Sequence, residues 1–415
     1  MSKIEDMIAK LCPDGVEYRK LGEVCDIKTG AGITTSNAVD GAEYPIISGG
    51  IKPMGYYDKY NREANTITIA RAGSAGYVNF ITTRFWVNDK CFSVIPNKEY
   101  IDKINSRFLY FYLKNMESEI IGLKSTGSVP TVNTQKIAGI KIILYPTMIQ
   151  LEIVKVLDKF TELEAELEAE LEARKKQYHF YRDSLLSFPE NDEDIERERE
   201  RERERESSRL TATSKSVVWR ELGEIFTMRN GYTPSKAVSA YWTSGTIPWF
   251  RMEDIRENGG ILSDAIQHIT PEAVKGGKLF SANSIILATT ATIGEHALIT
   301  VDSLVNQRFT VFTKKSNYYE QINMKYMYYY FFLIDEWCKK NIHISSFPSV
   351  DIVRLKKFHA PIPPLSEQVR IVTILDKFNS LVNDISNGIP AEIAARRTQY
   401  EYYRNKLLTF PAVPC

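Results

Sequence analysis

Two segments of the sequence place a basic residue, a small polar residue and a glycine in the same order. Lys28-Thr29-Gly30 in the first half correspond to Arg229-Asn230-Gly231 in the second, and each follows a shared Leu-Gly-Glu opening. Cationic, hydroxyl and amide groups donate hydrogen bonds to polar or anionic ligands, but a hydroxyl without a neighbouring base is not a nucleophile. These residues therefore predict recognition chemistry and no catalytic site.

Further polar and basic residues lie in predicted turns of both halves. The sequence has no GxxxxGK[ST] loop and no GxGxxG after a strand. Its five cysteines and five histidines are scattered without a CxxC pair, which predicts reduced thiols, a cytoplasmic protein and no metal site. The additional candidate ligand-binding residues are Arg71, Ser74, Lys90, Lys124, Ser125 and Thr126, then Arg251, Thr289, Thr290, Arg308, His343, Ser345 and Ser346.

The elements that position these residues are duplicated along the chain. Leu157-Asp158-Lys159-Phe160 reappears as Leu375-Asp376-Lys377-Phe378, and residues 173–189 reappear as 395–411. The offset between the halves grows from 201 to 218 residues, which predicts an insertion of 17 residues in the second half, near residues 248–278. A conserved frame with different loops is typical of one scaffold that presents two different recognition surfaces.

Each half is predicted to begin with a mixed α/β globular region. Segments rich in β-branched residues, such as 66–69 and 284–288, read as strands between Gly- and Ser-rich turns. The aromatic segments 105–114 and 323–333 read as buried helices. At 415 residues, with 43% hydrophobic and 25% charged residues, the chain has the composition of a globular protein with two or three domains.

A long helix is predicted after each globular region. The first begins near Pro146-Thr147 and would measure roughly 60 Å over about 40 residues, longer than the region before it, so we expect the two helices to pack on each other. The apolar stripes at spacings of three and four residues contain Leu157, Phe160, Leu163, Leu167, Leu171, Tyr178 and Tyr181 in the first helix, and Leu375, Phe378, Tyr400 and Tyr403 in the second.

The two helices differ in their middle sections. Gly388 and Pro390 are predicted to end or kink the second helix, with Pro390 opening a new segment. The first helix instead contains Glu-Leu-Glu-Ala three times, from Glu162 to Ala173. Every residue of this repeat favours helix, and each copy adds about 6 Å of length.

Charge is distributed unevenly along the chain. Residues 1–145 and 217–363 each carry a net charge of +3, which is weak evidence for nucleic acid by itself. Residues 191–216 form a charged, flexible linker in which Arg-Glu alternates five times, from Arg197 to Glu206. Because AGA and GAG encode Arg and Glu, the tract can be a run of one dinucleotide. We therefore hypothesise phase variation by slippage, which would switch between half-length and full-length products.

Three motifs in the correct order carry a family resemblance. They are WRELGEIFTMRNGYTPS at Trp219–Ser235, with a counterpart at Tyr18–Ser36, PIPPLSEQVRIVTILDKF at Pro361–Phe378, and YYRNKLLTFP at Tyr402–Pro411. The duplicated set resembles the specificity (S) subunit of type I restriction–modification enzymes. The resemblance implies an α/β (α+β) fold with pseudo-two-fold symmetry. Two target-recognition domains, 1–145 and 217–363, are joined by two long antiparallel coiled-coil spacer helices in 146–190 and 364–411.

The resemblance also implies a function and a set of partners. Each domain would read one half of a bipartite sequence in double-stranded DNA, with arginine suited to guanine and asparagine to adenine. The spacer helices would set the gap between the half-sites and dock two modification (methyltransferase) subunits, and two restriction (helicase–nuclease) subunits would join them. S-adenosylmethionine, ATP and Mg are expected only on those partners, and the chain would be non-catalytic, cytoplasmic and without membrane contact.

An alternative stays open at this point. A protein-only coiled-coil scaffold, such as an adaptor of a defence or phage-related assembly, would also need two long helices. Adjacent methyltransferase and helicase–nuclease genes would favour the DNA-binding function, and a methylation map distinguishes the two directly.

Overall fold

The computed structural model describes residues 2–125, 130–188, 217–343, 348–383 and 388–409. The chain divides into a first unit, residues 1–170 with 390–415, and a second unit, residues 171–389. The residues predicted as separate spacer regions, 146–190 and 364–411, are thus divided between the two units. The linker predicted at 191–216, with its Arg-Glu tract, lies outside the described residues.

The first unit is built from three small sheets and short helices that precede one long helix. Its strands are β1 Glu17–Lys20, β2 Cys25–Thr29, β3 Tyr44–Ile47, β4 Tyr56–Tyr57, β5 Thr66–Ala70, β6 Val78–Ile81, β7 Trp86–Val87, β8 Cys91–Pro96 and β9 Lys141–Leu144. Its helices are α1 Ser2–Leu11, α2 Leu21–Val24, α3 Ser106–Asn115, α4 Glu117–Gly122, α5 Thr134–Ala138 and the first part of α6 Thr147–Leu186.

The second unit repeats this arrangement with additions. Its strands are β10 Val218–Glu221, β11 Phe226–Asn230, β12 Ile247–Phe250, β13 Ile261–Leu262, β14 His268–Ile269, β15 Ser284–Ala288, β16 His296–Ile299, β17 Leu304–Val305, β18 Phe309–Lys314, β19 Ile342–His343, β20 Ser349–Val350 and β21 His359–Ile362. Its helices are α7 Leu222–Ile225, α8 Met252–Asn258, α9 Met324–Lys340, α10 Ile352–Lys356 and α11 Leu365–Asn383, and α12 Ile389–Leu408 returns to the first unit.

The sheets of the two units have the same topology. The order β2-β8-β5-β6 is antiparallel and matches β11-β18-β15-β16, to which β13 adds a parallel edge strand. The order β4-β3-β7 matches β14-β12-β17, and β1-β9 matches β10-β21. All residues of β5 and β15 are buried, as central strands require, and the aromatic helices α3 and α9 pack against these sheets.

The predicted insertion lies where the sequence placed it. Strand β12 follows β3 at an offset of 203 residues, β14 follows β4 at 212, and β15 follows β5 at 218. The extra residues therefore fall between β12 and β15, where they form α8 and β13. The loop that follows β3 is consequently short in the first unit and helical in the second.

A buried glutamine fixes each spacer helix to its unit. The Gln150 amide accepts a hydrogen bond from the Asn105 backbone N–H at 2.8 Å and donates to the carbonyls of Lys103 and Tyr145 at 2.7 and 2.6 Å. Gln368 makes the equivalent three bonds in the second unit, to Asn323, Gln321 and Pro363. Both glutamine side chains are fully buried, so they satisfy backbone groups that no water reaches.

The Asp of each Leu-Asp-Lys-Phe motif adds a second repeated contact. Asp158 accepts from Arg107 of α3 at 2.8 Å, and Asp376 accepts from Lys325 of α9 at 2.8 Å. Because both pairs are partly exposed, each ion pair contributes little stability and mainly fixes the orientation of the aromatic helix on the spacer.

The spacer helices follow the predicted pattern. Helix α6 is continuous over 40 residues from Thr147, whereas the second spacer is divided into α11 and α12, with Pro390 in the first turn of α12. In the first unit Phe160 lies 5.5 Å from Tyr403, ring to ring, and Glu168 pairs with Arg397, so α6 and α12 pack antiparallel there. In the second unit Tyr181 stacks on Phe378 at 5.4 Å.

Replacing Gln150 with leucine is expected to destabilise the first unit by about 2–4 kcal/mol. The substitution leaves one buried N–H and two buried carbonyls without their partner, and each such group costs about 1–3 kcal/mol. Urea unfolding of the full chain measures the loss. Gln135→Leu, the same change at an exposed position of α5, should unfold as the wild type does. Equal midpoints for the two variants would contradict the clamp.

Candidate nucleic-acid interface

Candidate residues that are distant in sequence meet in one group of loops in the first unit. The Arg71 N–H donates to the Lys90 carbonyl at 2.9 Å, and the Ser74 N–H donates to the Gly49 carbonyl at 2.7 Å. The Asn88 N–H donates to the Ile47 carbonyl at 2.8 Å. We call residues 47–52, 71–76, 88–90, 124–125 and 130–132 the first loop cluster.

The last of these segments joins through the candidate Arg71. The Val132 N–H donates to the Arg71 carbonyl at 2.9 Å, and the Ser125 N–H donates to the Thr131 carbonyl at 2.9 Å. Lys124 and Ser125 thereby sit beside the segment that carries Arg71. Lys28 and Thr29, on the neighbouring strand β2, are both exposed, and Lys28 pairs with Asp26 at 3.2 Å.

The second unit repeats the cluster with different side chains. The Thr289 N–H donates to the Arg308 carbonyl at 3.0 Å, and the Asn306 N–H donates to the Phe250 carbonyl at 3.0 Å. Thr290 bridges to Ser349, which pairs with His343. Arg71 and Lys90 thus correspond to Thr289 and Arg308. We call residues 250–258, 289–294, 306–308, 341–343 and 348–350 the second loop cluster.

The predicted candidates differ in how far solvent reaches them. Thr126, Ser345 and Ser346 lie outside the described residues. The exposed candidates are Lys28, Thr29, Arg71, Lys90, Ser125, Arg229, Asn230, Arg308 and His343, and the partly buried ones are Ser74, Lys124, Arg251 and Thr290.

Thr289 is a correction to the predicted set. Its side chain is 5% exposed and its hydroxyl shares a hydrogen bond with Thr310, which donates to the Asn230 carbonyl oxygen at 2.9 Å. A buried hydroxyl that already has a partner cannot contact a ligand. Thr289 instead supports Thr310, which positions the exposed Asn230.

Gly30 is also corrected, because packing explains this glycine and its counterpart Gly231. A Cβ atom on Gly30 would lie 1.7 Å from the Val87 carbonyl oxygen, and one on Gly231 would lie 2.3 Å from the Val305 carbonyl oxygen. Both positions therefore require glycine so that β2 and β11 can approach a neighbouring strand. Arg71 and Lys90 in the first loop cluster remain better candidates for ligand contact.

Arg251 has a structural partner set of its own. Its guanidinium lies 5.5 Å from the Trp249 ring centroid, and its N–H donates to the Asp254 carboxylate at 2.6 Å at the start of α8. The residue is therefore largely occupied in holding the helix that the first unit lacks. A contact through its exposed portion is compatible with this arrangement.

The first loop cluster has an excess of positive charge. It contains Lys52, Arg71, Lys90 and Lys124 against the single carboxylate of Asp89. Lys52 was missed by the sequence analysis, although a lysine directly after the Gly49-Gly50 turn was a readable signal. Such a surface attracts a polyanion at long range and pairs with phosphates at contact.

A second basic group missed from the sequence lies on the insertion of the second unit. Lys275 and Lys278 are exposed on either side of Gly276 and Gly277, whose φ values of 62° and 64° make a tight left-handed turn. The Lys275 N–H donates to the Tyr232 hydroxyl at 2.7 Å, close to the candidates Arg229 and Asn230. The motif Lys-Gly-Gly-Lys was the available signal.

Burial keeps the thiol beneath the first loop cluster neutral. It raises the pKa of Cys91 to about 12, with hydrogen bonds from the thiol to the Ile69 and Phe92 carbonyls. A neutral thiol in this position is a core residue, because the thiolate is the nucleophilic form.

The buried His296 is likewise structural. Its Nδ1 lies 2.5 Å from the Asp335 carboxylate and its Nε2 lies 2.9 Å from the Tyr328 carbonyl, so it joins β16 to α9. Desolvation by burial raises the pKa of Asp335. Among the described residues, no three His, Cys, Asp or Glu side chains are grouped as a metal site, and no helix is both long and apolar enough to cross a bilayer.

The spacer residues predicted to contact partners are partly internal. Leu157 and Leu375 have no exposed surface and Tyr178 is buried, so these three stabilise their own unit and cannot dock another chain. Phe160, Leu163, Leu167, Leu171, Phe378, Tyr400 and Tyr403 are partly buried, and Tyr181 is exposed.

The model of the type I restriction modification DNA specificity domain matches the sequence twice, at residues 13–173 and 215–395. The chain belongs to this specificity family. The two matches coincide with the two repeats, and each includes one loop cluster with the start of the following spacer helix.

Curated members of the specificity family are similar over different lengths. The EcoprrI specificity subunit of Escherichia coli is 51% identical over 201 residues, 47% of this chain and 50% of that protein. The EcoR124I/EcoR124II specificity subunit of Escherichia coli is 40% identical over 63% of this chain and 60% of that protein. The chain therefore spans half to three fifths of these two relatives. The putative subunit S.HindORF215P of Haemophilus influenzae is 30% identical over 95% of this chain and 96% of that protein.

Solved structures of the specificity family share the fold. The S subunit of a type I system from M. genitalium matches with a TM-score of 0.56 at 17% identity, covering 96% of this chain and 97% of that one. A chain from a structural study of type I R-M complex assembly and conformational transition matches with a TM-score of 0.63 at 18% identity, covering 95% and 97%.

Proposed function

We propose that this chain is the DNA specificity subunit of a type I restriction–modification complex, in which each loop cluster reads one half of a bipartite sequence in double-stranded DNA. The observation that carries the proposal is the pair of equivalent clusters. Their backbone hydrogen bonds correspond one to one, from Arg71–Lys90 to Thr289–Arg308. Equivalent frames with different side chains suit two half-sites of different sequence.

The side chains offered by the clusters suit contacts to DNA. Lys52, Arg71 and Lys90 are exposed in the first unit, and Arg308 and the turn 275–278 are exposed in the second. Lysine and arginine pair with phosphates, and arginine also reads guanine in the major groove. The exposed Asn230 suits adenine, and its orientation is set by the hydrogen bond from Thr310.

A repeated apolar surface supports docking of two copies of one partner. Leu151 in α6 is 51% exposed and its equivalent Val369 in α11 is 48% exposed. Phe180 in the second unit and its equivalent Tyr402 in the first are 69% and 60% exposed. We call these four residues the repeated apolar surface. Exposed apolar residues at equivalent positions of both units suit a partner that binds twice.

In this proposal the partners supply the chemistry. Two modification subunits dock on the repeated apolar surface and bring S-adenosylmethionine, and two restriction subunits that use ATP and Mg join the complex. The chain itself contributes recognition in the cytoplasm. A protein-only adaptor accounts for the long helices, but it gives no reason for two exposed clusters of basic loops.

Methylation mapping tests the proposal. A host that expresses the adjacent modification genes with this chain should show adenine methylation in a two-part sequence, and the pattern should vanish without the chain. Combining Arg71→Ala with Lys90→Ala should weaken recognition of one half-site only, and Arg308→Ala that of the other. An unchanged methylome in the strain without the chain would refute the DNA function and favour the adaptor.

A further inference from the structure

An exposed aliphatic residue stands at the tip of the shortest differing loop in the first loop cluster. Residues 48–52 (Ser-Gly-Gly-Ile-Lys) follow β3, and the Ile51 side chain is 62% exposed. A single exposed aliphatic residue is common on protein surfaces. Its meaning here depends on how firmly the loop is held and on what surrounds it.

Close backbone contacts hold this loop against the segment that carries Arg71. A Cβ atom on Gly49 would lie 2.0 Å from the Ala72 carbonyl oxygen, and one on Gly73 would lie 2.7 Å from the Gly49 carbonyl oxygen. Gly73 has a φ of +77°, and the Ser74 N–H donates to the Gly49 carbonyl at 2.7 Å. The tip is therefore presented in a fixed position before any ligand binds, which lowers the entropic cost of a contact.

Cationic side chains occur on the segments joined to this tip. Lys52 is the next residue, Arg71 begins the segment bonded to Gly49, and Lys90 is bonded to Arg71, and all three are exposed. Phosphates on either side of a groove satisfy the cations, which leaves the base edges between them for Ile51. The apolar group on a base edge in the major groove is the 5-methyl group of thymine.

The space beneath the loop excludes a different use of Ile51. The recess lined by Ser48, Gly50, Thr68, Tyr77 and Asn79 has a volume of about 10 Å³, room for at most one water molecule. No base can be flipped into it, so Ile51 is not the rim of a base-binding pocket. The contact has to be made by the outer surface of the side chain.

The second unit has no equivalent tip. Ile47 of β3 corresponds to Phe250 of β12, because each pairs with the last residue of its neighbouring strand, Val87 or Val305. After Phe250 the chain enters α8, whose first turn carries Glu253 and Asp254. The two clusters therefore differ most at this loop, as expected for a residue that decides which sequence one half-site has.

We infer that Ile51 is a specificity-determining residue that packs on the 5-methyl group of a thymine in the major groove of one half-site. The inference rests on the proposed function and deepens it by assigning a base type to a named residue. The contact is apolar and direct, and Lys52, Arg71 and Lys90 hold the loop on the backbone around it.

Deoxyuridine, which is thymine without its methyl group, provides the test. The full chain with its modification subunits is titrated with duplexes of the methylation-mapped site in which thymines of both half-sites are replaced by deoxyuridine one at a time. At one position the replacement should weaken wild-type binding by about threefold to tenfold, as expected for one buried methyl group. With Ile51→Ala the same replacement should have no effect, and Ile51→Val should retain part of it.

Ile101→Ala is the matched control, because Ile101 is 61% exposed but lies in the turn before α3, outside the loop cluster. It should respond to deoxyuridine as the wild type does. If the effects of Ile51→Ala and of deoxyuridine simply add at every position, the inference is overturned, even where Ile51→Ala weakens binding. If the wild-type complex binds no bipartite site, the proposed function itself fails, so the two failures are distinguishable.

Discussion

Deleting residues 166–169, one Glu-Leu-Glu-Ala copy, is expected to shorten the gap in the recognised DNA sequence by one or two base pairs and to leave both half-sites unchanged. Helix α6 is continuous from Thr147 to Leu186, and its first part belongs to one unit and its last part to the other. Removing four residues shortens the helix by about 6 Å, and base pairs are spaced about 3.4 Å apart.

The deletion is clean because the repeat preserves the side-chain register. Glu164 and Glu168 both pair with Arg397 of α12, and Leu163, Leu167 and Leu171 lie along the same side of α6. After the deletion, Glu172 takes the place of Glu168 and Leu171 that of Leu167. The helix face changes by only about 40°, since four residues turn the helix by about 400°.

Methylation mapping of the deletion strain measures the gap directly. Deleting three residues, 166–168, is the control, because it removes a similar length but turns the following helix by about 60° in the opposite sense and breaks the Leu and Glu register. That variant should lose the methylation pattern altogether. An altered half-site in the four-residue deletion, or an unchanged gap, would count against the spacer acting as a ruler.

Introducing glutamate at both Leu151 and Val369 is expected to abolish assembly with the modification subunits and hence methylation. These equivalent residues are exposed on the first turns of α6 and α11, so the substitutions leave the core of each unit intact. A carboxylate buried in an apolar contact costs about 3 kcal/mol or more, close to a 100-fold loss of affinity at each site. Native mass spectrometry of the complex counts the bound subunits.

The single variants make this prediction sharper. Leu151→Glu alone and Val369→Glu alone should each lose one modification subunit and retain the other, because each alters one of two equivalent sites. Val353→Glu is the control, since Val353 is 69% exposed but its counterpart in the first unit is the polar Gln135. Full assembly of the double variant would show that the partners dock elsewhere.

Local sequence patterns predicted the elements well where one dominant signal acted. The stripe of apolar residues and the absence of proline predicted α6 within a residue of its start, and Pro390 correctly marked the break in the second spacer. Asn105 and Asn323 cap the aromatic helices α3 and α9, where sequence placed them. Repeat offsets alone located the insertion that forms α8.

Side-chain exposure was the part that local patterns could not supply. Thr289 and Thr290 are adjacent hydroxyls in a turn, yet only Thr289 is buried, because Thr310 of β18 lies against it. Gly30 read as a contact residue and proved to be a packing requirement set by Val87. Such outcomes depend on strands that pair across tens of residues.

By itself, the sequence determined the duplication, the order of helices and strands, and the family, because these depend on residue types repeated at fixed spacing. The tertiary structure decided which polar residues meet and which face solvent. It joined Gly49 to Ser74 and Arg71 to Lys90, and it buried Gln150 beside Asn105. Backbone hydrogen bonds between distant segments made these choices, and a linear sequence does not record which loops they bring together.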